Sequence, residues 1–552
     1  MSGVLPRRIK RDVERAVMPL PGSRVALYAF NRPEVAARII SRLEASAGGP
    51  VDARVLVNVK AAPSHERLGG KLLPFSSLAG LLRRFRQLRG ERLDAWLVVV
   101  TYVSFRPSFL LRLALMYALA AFSRARVKLV YDQQDLVSKL IEPSYVYFIL
   151  SSWLGRKTKA FFLMATYPFW EMFFSLSAGG RRKRAPASGG FSRALVIQLD
   201  LIGDYVWSTP CYRALKESSP DARVDLLTSS ANAVLAAANP FIESVINYDI
   251  DWFGGEKPRG MKGRAKRALD NLRCRIELFK RGYDLVVDLR GDPKTIRLAY
   301  FTGAPFRLGY ADRTLKNDFS FLLKPAVRFP WEKRHEVHIT GHNLNLLRSL
   351  GLEASKNYPE LFIDKKSEEA ALAFLGEHGL SGKRPLVVVH PGASRPQKLW
   401  GAEKFARLAD LLTERFRAAV VFTGSRDDQA VIGAISGMMA GPAASAAGKL
   451  GLQEFAALLK LADMVITAET ATIGMATAAG TPMVAIMSGV PALFGPMDGV
   501  SEAVVMELDC RNPIFEHCYC EEVPYGCLEE LSVERVAEAA GRVISKLGAR
   551  QK

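Results

Sequence analysis

The chain has 552 residues, 49% of them hydrophobic and 24% charged, with a formal net charge of +21. That length exceeds what one core can serve, so three or four domains are expected, and the composition excludes a chain disordered throughout. The charge is uneven: residues 1–190 hold 31 Lys/Arg against 12 Asp/Glu, a balance of +19, which leaves +2 for the remaining 362 residues.

In chain order, Arg7-Arg8 is not followed by an apolar stretch, so neither a Sec nor a twin-arginine leader is expected. Arg24–Phe30, Ala53–Val59, Ala95–Thr101 and Arg126–Tyr131 read as strands, with helices predicted over Pro33–Leu43 and Ser108–Phe122. Residues 1–140 are therefore a small α/β domain without a Gly-rich phosphate fingerprint. Asp132 and Asp135 follow its last strand, where two carboxylates read as turn residues.

Residues 141–190 differ in kind. Tyr145–Ala178 is rich in Phe, Trp, Tyr, Leu and Met, is split by Gly155-Arg156-Lys157-Thr158-Lys159, and ends against Arg181-Arg182-Lys183-Arg184. A basic region means nucleic acid or an anionic membrane, and aromatic neighbours favour the membrane. The second apolar arm holds Pro168 and Glu171 and has cations at both ends. An interfacial or re-entrant hairpin suits it better than a clean span, and a buried helical pair is the alternative. The expected contact is residues about 145–184 on the inner face of the cytoplasmic membrane, with no nucleic-acid partner. Gly179–Gly190 is a flexible tether.

A second α/β region, 191–375, begins with RALVIQLDLIGDYVWSTP at Arg193–Pro210: an apolar strand, Asp200, a Gly203-Asp204 turn and a helix. Further strands are expected at Arg223–Ser229, Ser244–Tyr248, Tyr283–Arg290 and Phe306–Tyr310, with a basic helix from about Met261 to Arg281. Arg334–Leu350 reads as a helix carrying His338 and His342 on one face; no carboxylate or cysteine pattern completes a metal set, and a polar helix face is the reading adopted.

The third region, 376–552, carries strands at Leu386–His390, Ala419–Gly424, Met464–Ala468 and Thr481–Met487. Two successive α/β domains imply a cleft at the C-terminal ends of their strands. The turn Gly392–Ser394, the helix N-terminus near Thr470 and the cation Lys398 together suit a pyrophosphate, and a nucleotide diphosphate sugar is its natural occupant. On spacing alone, Ser394 and Thr470 as helix caps and Lys398 as a solvated side chain remain an equal reading.

The blocks VIQLDLIGDYVWSTPCYRALK, GYDLVVDLRGDPKTIRLAYFTGAPFRLGY, VVVHPGASRPQKLWGAEKFARLADLL and LADMVITAETATIGMATAAGTPMVAI together resemble glycosyltransferase family 9, the ADP-heptose:lipopolysaccharide heptosyltransferases, from about Arg193 onward. The resemblance implies a GT-B fold of two Rossmann-like domains, inverting and needing no metal or cofactor, with acceptor on the first domain and ADP-heptose on the second. It places the general base on Asp204, a diphosphate contact on Ser394 and Lys398, and a donor set of Gly392, Ser394, Gly424, Glu469, Thr470, Ala471 and Thr472. Gly203 and Arg290 fall on the acceptor side. The family's Asp-Thr-Gly turn with a later His reads here as Glu469-Thr470-Ala471 with Gly474 and no His, so the donor pocket is altered.

Cys510, Cys518, Cys520 and Cys527 lack the paired spacing of common zinc sites, and no metal is assigned to them. The expected function is transfer of a sugar, heptose in the simplest case, to a lipid-linked glycan such as lipopolysaccharide core. A non-catalytic glycan-binding scaffold and a nucleotide-sugar epimerase on the same fold are the alternatives.

Overall fold

The computed structural model divides into two compact units, Met1–Ala165 and Thr166–Lys552. The described residues are six strands of the first unit, Thr158, the helical stretch 162–174, and most of 190–550 apart from short segments including 250–259, 312–318, 331–335, 394, 396–397 and 507–527.

In the first unit, β1 (Arg24–Ala29), β2 (Asp52–Asn58), β3 (Leu72–Phe75), β4 (Ala95–Val100), β5 (Val127–Asp132) and β6 (Val137–Leu140) form one sheet ordered β3-β2-β1-β4-β5-β6. Only the β5–β6 pair is antiparallel. Four of these strands coincide with the apolar runs of the sequence; β3 and β6, four residues each, are too short to declare themselves by pattern. The predicted helices Pro33–Leu43 and Ser108–Phe122 and the pair Asp132–Asp135 lie wholly or partly outside the described residues.

The second unit holds two further sheets. The first, called the acceptor-side sheet after the role the family resemblance leads us to expect, contains β7 (Arg193–Gln198), β8 (Arg223–Thr228), β9 (Ser244–Asn247), β10 (Leu285–Asp288), β11 (Phe306–Tyr310) and β12 (Ala326–Val327), ordered β12-β11-β10-β7-β8-β9. The second, called the donor-side sheet on the same expectation, contains β13 (Leu386–His390), β14 (Ala419–Phe422), β15 (Ala444–Ser445), β16 (Met464–Ala468), β17 (Met483–Ile486) and β18 (Glu502–Val504), ordered β15-β14-β13-β16-β17-β18. All neighbours in both sheets are parallel. Counted within its own sheet, each of the three has the strand order 3-2-1-4-5-6 of a doubly wound dinucleotide-type fold.

The reason is visible in the central strands. Leu195–Ile197, Val387–Val389 and Val465–Ile466 are fully buried, which is what strands covered by helices on both faces require. Val388 pairs with Val421 on one side and Val465 on the other, locking the register of the donor sheet. Helices that position the site are α1 (Ile202–Trp207), α2 (Thr209–Ser218), α3 (Gly260–Arg281), α4 (Pro293–Phe301), α5 (Ile339–Arg348), α6 (Ala402–Phe416) and α7 (Ala471–Ala479). One buried cluster runs from Val196 and Trp207 through Ile473 and Met475 to Val388 and Val465, so the two domains share apolar contact.

Among the described residues no helix is long and apolar enough to cross a membrane. The end of the helical stretch 162–174 seats on the acceptor domain. Tyr167 stacks on Tyr300 at 5.8 Å, Trp170 meets Phe301 edge-on at 6.1 Å, and Glu171 pairs with buried Arg307 at 2.8 Å and with Lys324 at 2.7 Å. Among the described residues, Glu171 is the charge partner of this buried arginine. Burial alone would raise its carboxyl, but the hydrogen bonds and charges of Lys324 and Arg307 together outweigh it and hold the group below the usual range.

Candidate functional site

In a doubly wound sheet the ligand crevice opens where the strand order reverses. For the acceptor domain that point lies between β7 and β10, and for the donor domain between β13 and β16. Four loops matter: the ones after Gln198, Asp288, His390 and Ala468.

After β7 the chain turns through Asp200 into α1. Leu201 is the N-cap of α1, and its N–H donates to Asp204 Oδ2 at 3.3 Å, while Gln198 Nε2 donates to the Asp204 carbonyl at 3.0 Å. Asp204 thus sits, half-buried, in the first turn of a helix. Gly203 is needed for a different reason. A Cβ there would stand 3.3 Å from the Ala471 Cα, because α1 lies directly against α7 of the other domain. Gly474 on α7 likewise leaves room for Trp207, whose ring would be 3.1 Å from an added Cβ. The Gly203-Asp204 turn and the Thr470–Ala471 turn therefore face each other across the domain boundary.

After β10 a small charge cluster forms. Arg290 pairs with Asp200 across 90 residues of sequence and with Asp292 at 2.6 Å. Asp292 also caps α4, accepting from the N–H groups of Lys294 and Thr295 at 2.7 and 3.0 Å. Beneath them Asp288 is fully buried; its Oδ1 accepts from the N–H groups of Arg290 and Gly291, both at 3.1 Å. Burial pushes its carboxyl up to about 7, only partly opposed by the Gly291 hydrogen bond. Asp200, which the sequence leaves as a strand-end residue, is thus a partner of the acceptor-side Arg290.

On the donor side, Thr470 caps α7 by accepting from Thr472 N–H at 3.2 Å. Lys398 meets Glu469 at 2.7 Å, and the other carboxylate oxygen of this buried Glu469 accepts from the Ser488 N–H at 3.0 Å and hydroxyl at 3.2 Å. Glu469 therefore holds Lys398 beside the α7 N-terminus. Gly392 and Gly424 converge on Asp428: an added Cβ would lie 2.8 Å from its Oδ1 at Gly392 and 2.7 Å from its Cβ at Gly424. Asp428 itself accepts from the Ser425 N–H and hydroxyl, both at 2.7 Å. Sequence reading missed Asp428; its signal was a second carboxylate four residues beyond Gly424 in the loop leaving an apolar strand. Ser394 lies outside the described residues.

The histidines have other tasks. His338 is the N-cap of α5, where Nδ1 accepts from Thr340 N–H at 3.2 Å, and its ring meets Trp207 edge-on at 4.6 Å. Burial depresses it to about 4. His338 precedes α5 rather than sharing a helix face with buried His342, and no group of metal-ligating side chains forms among the described residues. The cysteines from Cys510 to Cys527 lie outside those residues.

Residues 272–516 match the model of glycosyltransferase family 9 (heptosyltransferase). Over this stretch the chain resembles glycosyltransferase family 9. It is 26% identical over 314 residues to lipopolysaccharide heptosyltransferase 3 of Escherichia coli, covering 54% of this chain and 81% of that protein. Against lipopolysaccharide heptosyltransferase 2 of Salmonella typhimurium it is 24% identical over 313 residues, 55% of this chain and 83% of the relative. The solved structure of a family 9 glycosyl transferase from Veillonella parvula superposes with a TM-score of 0.54 at 24% identity, over 66% of this chain and 99% of that one. The two parallel-sheet domains of the second unit are thus of the GT-B type. Glu469, Thr470, Ala471, Gly392, Lys398 and Arg290 fall within the matched residues, whereas Asp204 precedes them.

Proposed function

We propose that the protein is an inverting glycosyltransferase that moves a sugar, most simply heptose from ADP-heptose, onto lipopolysaccharide core or a related lipid-linked glycan. The observation that carries this reading is the meeting of the two switch points: the Asp204 turn stands against the Thr470–Ala471 turn, with Lys398 held beside it. Asp204 takes the proton of the acceptor hydroxyl as that oxygen bonds to the anomeric carbon. The bond from that carbon to the diphosphate oxygen breaks with its electron pair, leaving a nucleoside diphosphate. Lys398 and the backbone N–H groups at the start of α7 take up the charge that grows on the leaving group. One displacement at one carbon inverts its configuration.

Gly392, Ser394, Gly424, Glu469, Thr470, Ala471 and Thr472 form the donor wall in this reading, and Gly203 and Arg290 the acceptor side. Residues about 145–184 would hold the enzyme at the inner face of the cytoplasmic membrane, where a lipid-linked acceptor is presented. The relatives named lipopolysaccharide heptosyltransferases support the acceptor class.

The test is a thermal-shift screen of the full chain against ADP- and UDP-sugars, followed by turnover of wild type and Asp204→Asn. Stabilisation by ADP-heptose and turnover abolished in the variant are expected; turnover unaffected by Asp204→Asn would sink the mechanism. A second reading rests on the ion pair: Glu469 already neutralises Lys398, as in a binding protein that holds a donor without activating it. Stabilisation by ADP-heptose without turnover on any lipid-linked acceptor would favour that scaffold.

A further inference from the structure

α3 inverts the usual arrangement of a surface helix. Leu269, Leu272 and Ile276, spaced to share one face, are exposed, as are Ala265 and Ala268 beside them, while Leu278 is buried on the opposite side. Phe279 carries this stripe to the helical stretch 166–174: it stacks on Phe173 at 5.9 Å and meets Phe174 at 5.7 Å. Phe169, Met172 and Phe173 on that stretch are exposed too, so six large apolar side chains, each between 42 and 58% exposed, lie on one side of the acceptor domain. Scattered exposed apolar residues need no explanation, but a joined set of this size marks an interaction surface.

Charge identifies the partner. α3 holds eight Lys/Arg and two Asp/Glu in its 22 residues. Exposed Lys266, Arg273 and Lys280 border the stripe, and Arg275 lies over the Phe301 ring at 4.9 Å. Both acids lie beside arginines, Asp270 at 3.8 Å from Arg273 and Glu277 at 2.9 Å from Arg281. A second copy would bring the same excess of cations against itself. An apolar aromatic face rimmed by cations suits the boundary between acyl chains and anionic headgroups.

We infer that the exposed face of α3, together with Phe169, Met172 and Phe173, docks the acceptor domain on an anionic lipid surface. This deepens the reading of a lipid-linked acceptor and rests on it for its purpose, because α3 feeds directly into β10, whose C-terminal end bears Arg290. Docking through α3 fixes the acceptor domain itself at the membrane.

The experiment is co-sedimentation of the full chain with phosphatidylcholine vesicles, with and without about 30 mol% phosphatidylglycerol. Three sets are compared with wild type: Leu269→Glu/Leu272→Glu/Ile276→Glu, Lys266→Glu/Arg273→Glu/Lys280→Glu, and the control Leu372→Glu at an exposed apolar site of another helix. Partition onto anionic vesicles should fall at least tenfold in the first two sets and stay at the wild-type level in the control. Hydrogen exchange across residues 265–281 of the wild type should slow when anionic vesicles are added. Unchanged partition in both triple variants, or unaltered exchange in that segment, overturns the inference. So does a loss of self-association by light scattering with vesicle binding intact, which would make the face a contact between copies. ADP stabilisation, measured without lipid, should be the same in all variants; its absence from every one would count against the transferase reading and leave the lipid result standing.

Discussion

The two switch points of the second unit share a topology and differ in their electrostatics. At the acceptor side, Asp200 and Asp292 pair with one cation, Arg290, whose backbone N–H donates to Asp288, and the carboxylate proposed as base follows Asp200 in the next turn of chain. At the donor side a single buried carboxylate, Glu469, faces Lys398 at the N-terminus of α7. The first arrangement is suited to taking a proton from a neutral hydroxyl, the second to receiving an anionic diphosphate. Under the proposed mechanism the same strand order serves opposite chemistry, because the order fixes where loops meet and the loop residues decide what they do.

This comparison can be broken most severely at Asp204. Asp204→Asn should lower kcat by about 10²–10⁴-fold while leaving thermal stabilisation by ADP-heptose intact; loss of donor binding instead would move Asp204 out of the base role. Lys398→Met should cost about 10²–10³-fold in kcat if it meets charge that grows only in the transition state. A rise in KM alone would reduce it to uniform donor binding.

The buried carboxylate of the acceptor side gives a pH test. Asp288 is raised to about 7 by burial, so the unfolded chain ionises it first. Its contribution to stability is complete below about pH 4 and is lost as pH rises toward 7. Relative to wild type, Asp288→Asn should therefore gain stability over that window, by up to about 4 kcal/mol, in denaturant melts at pH 4 and pH 8. Equal differences at both pH values would refute the shift. Arg290→Ala leaves Asp200 and Asp292 without their shared cation and should destabilise by about 1–3 kcal/mol, with a return toward wild type in the double variant Arg290→Ala/Asp200→Asn. Smallest is Gly203→Ala, whose methyl would meet Ala471 Cα at 3.3 Å; under about 1 kcal/mol is expected from a contact this close to the ordinary limit. A loss of turnover greater than the loss of stability would mark the α1–α7 contact as setting the distance between base and donor.

Much of the fold was legible before any coordinates. Buried parallel strands announce themselves because both faces must be apolar, so LVIQ, LVVV and MVITA were readable as central strands. The turns after them were readable too, since ligand loops follow the carboxyl ends of such strands. Asp204, Lys398, Gly392 and Thr470 were placed at the crevice by that rule and by the family resemblance together. Short edge strands such as β3 and β6 escaped, having too few residues to show a period.

Tertiary structure alone decided the partnerships. Arg290 with Asp200, Lys398 with Glu469, and Asp428 under two glycines join positions that pattern cannot pair, because which side chains meet depends on sheet order and on how helices cross. The same holds for His338, which spacing assigns to a helix face and packing against Trp207 turns into a cap. The sequence by itself determined three successive sets of strands, a basic front region and the loops that follow the central strands, because hydrophobic period and composition are local. The identical 3-2-1-4-5-6 order of all three sheets and the contact between the Asp204 and Thr470 turns were decided by the fold, because they require segments hundreds of residues apart to settle against one another.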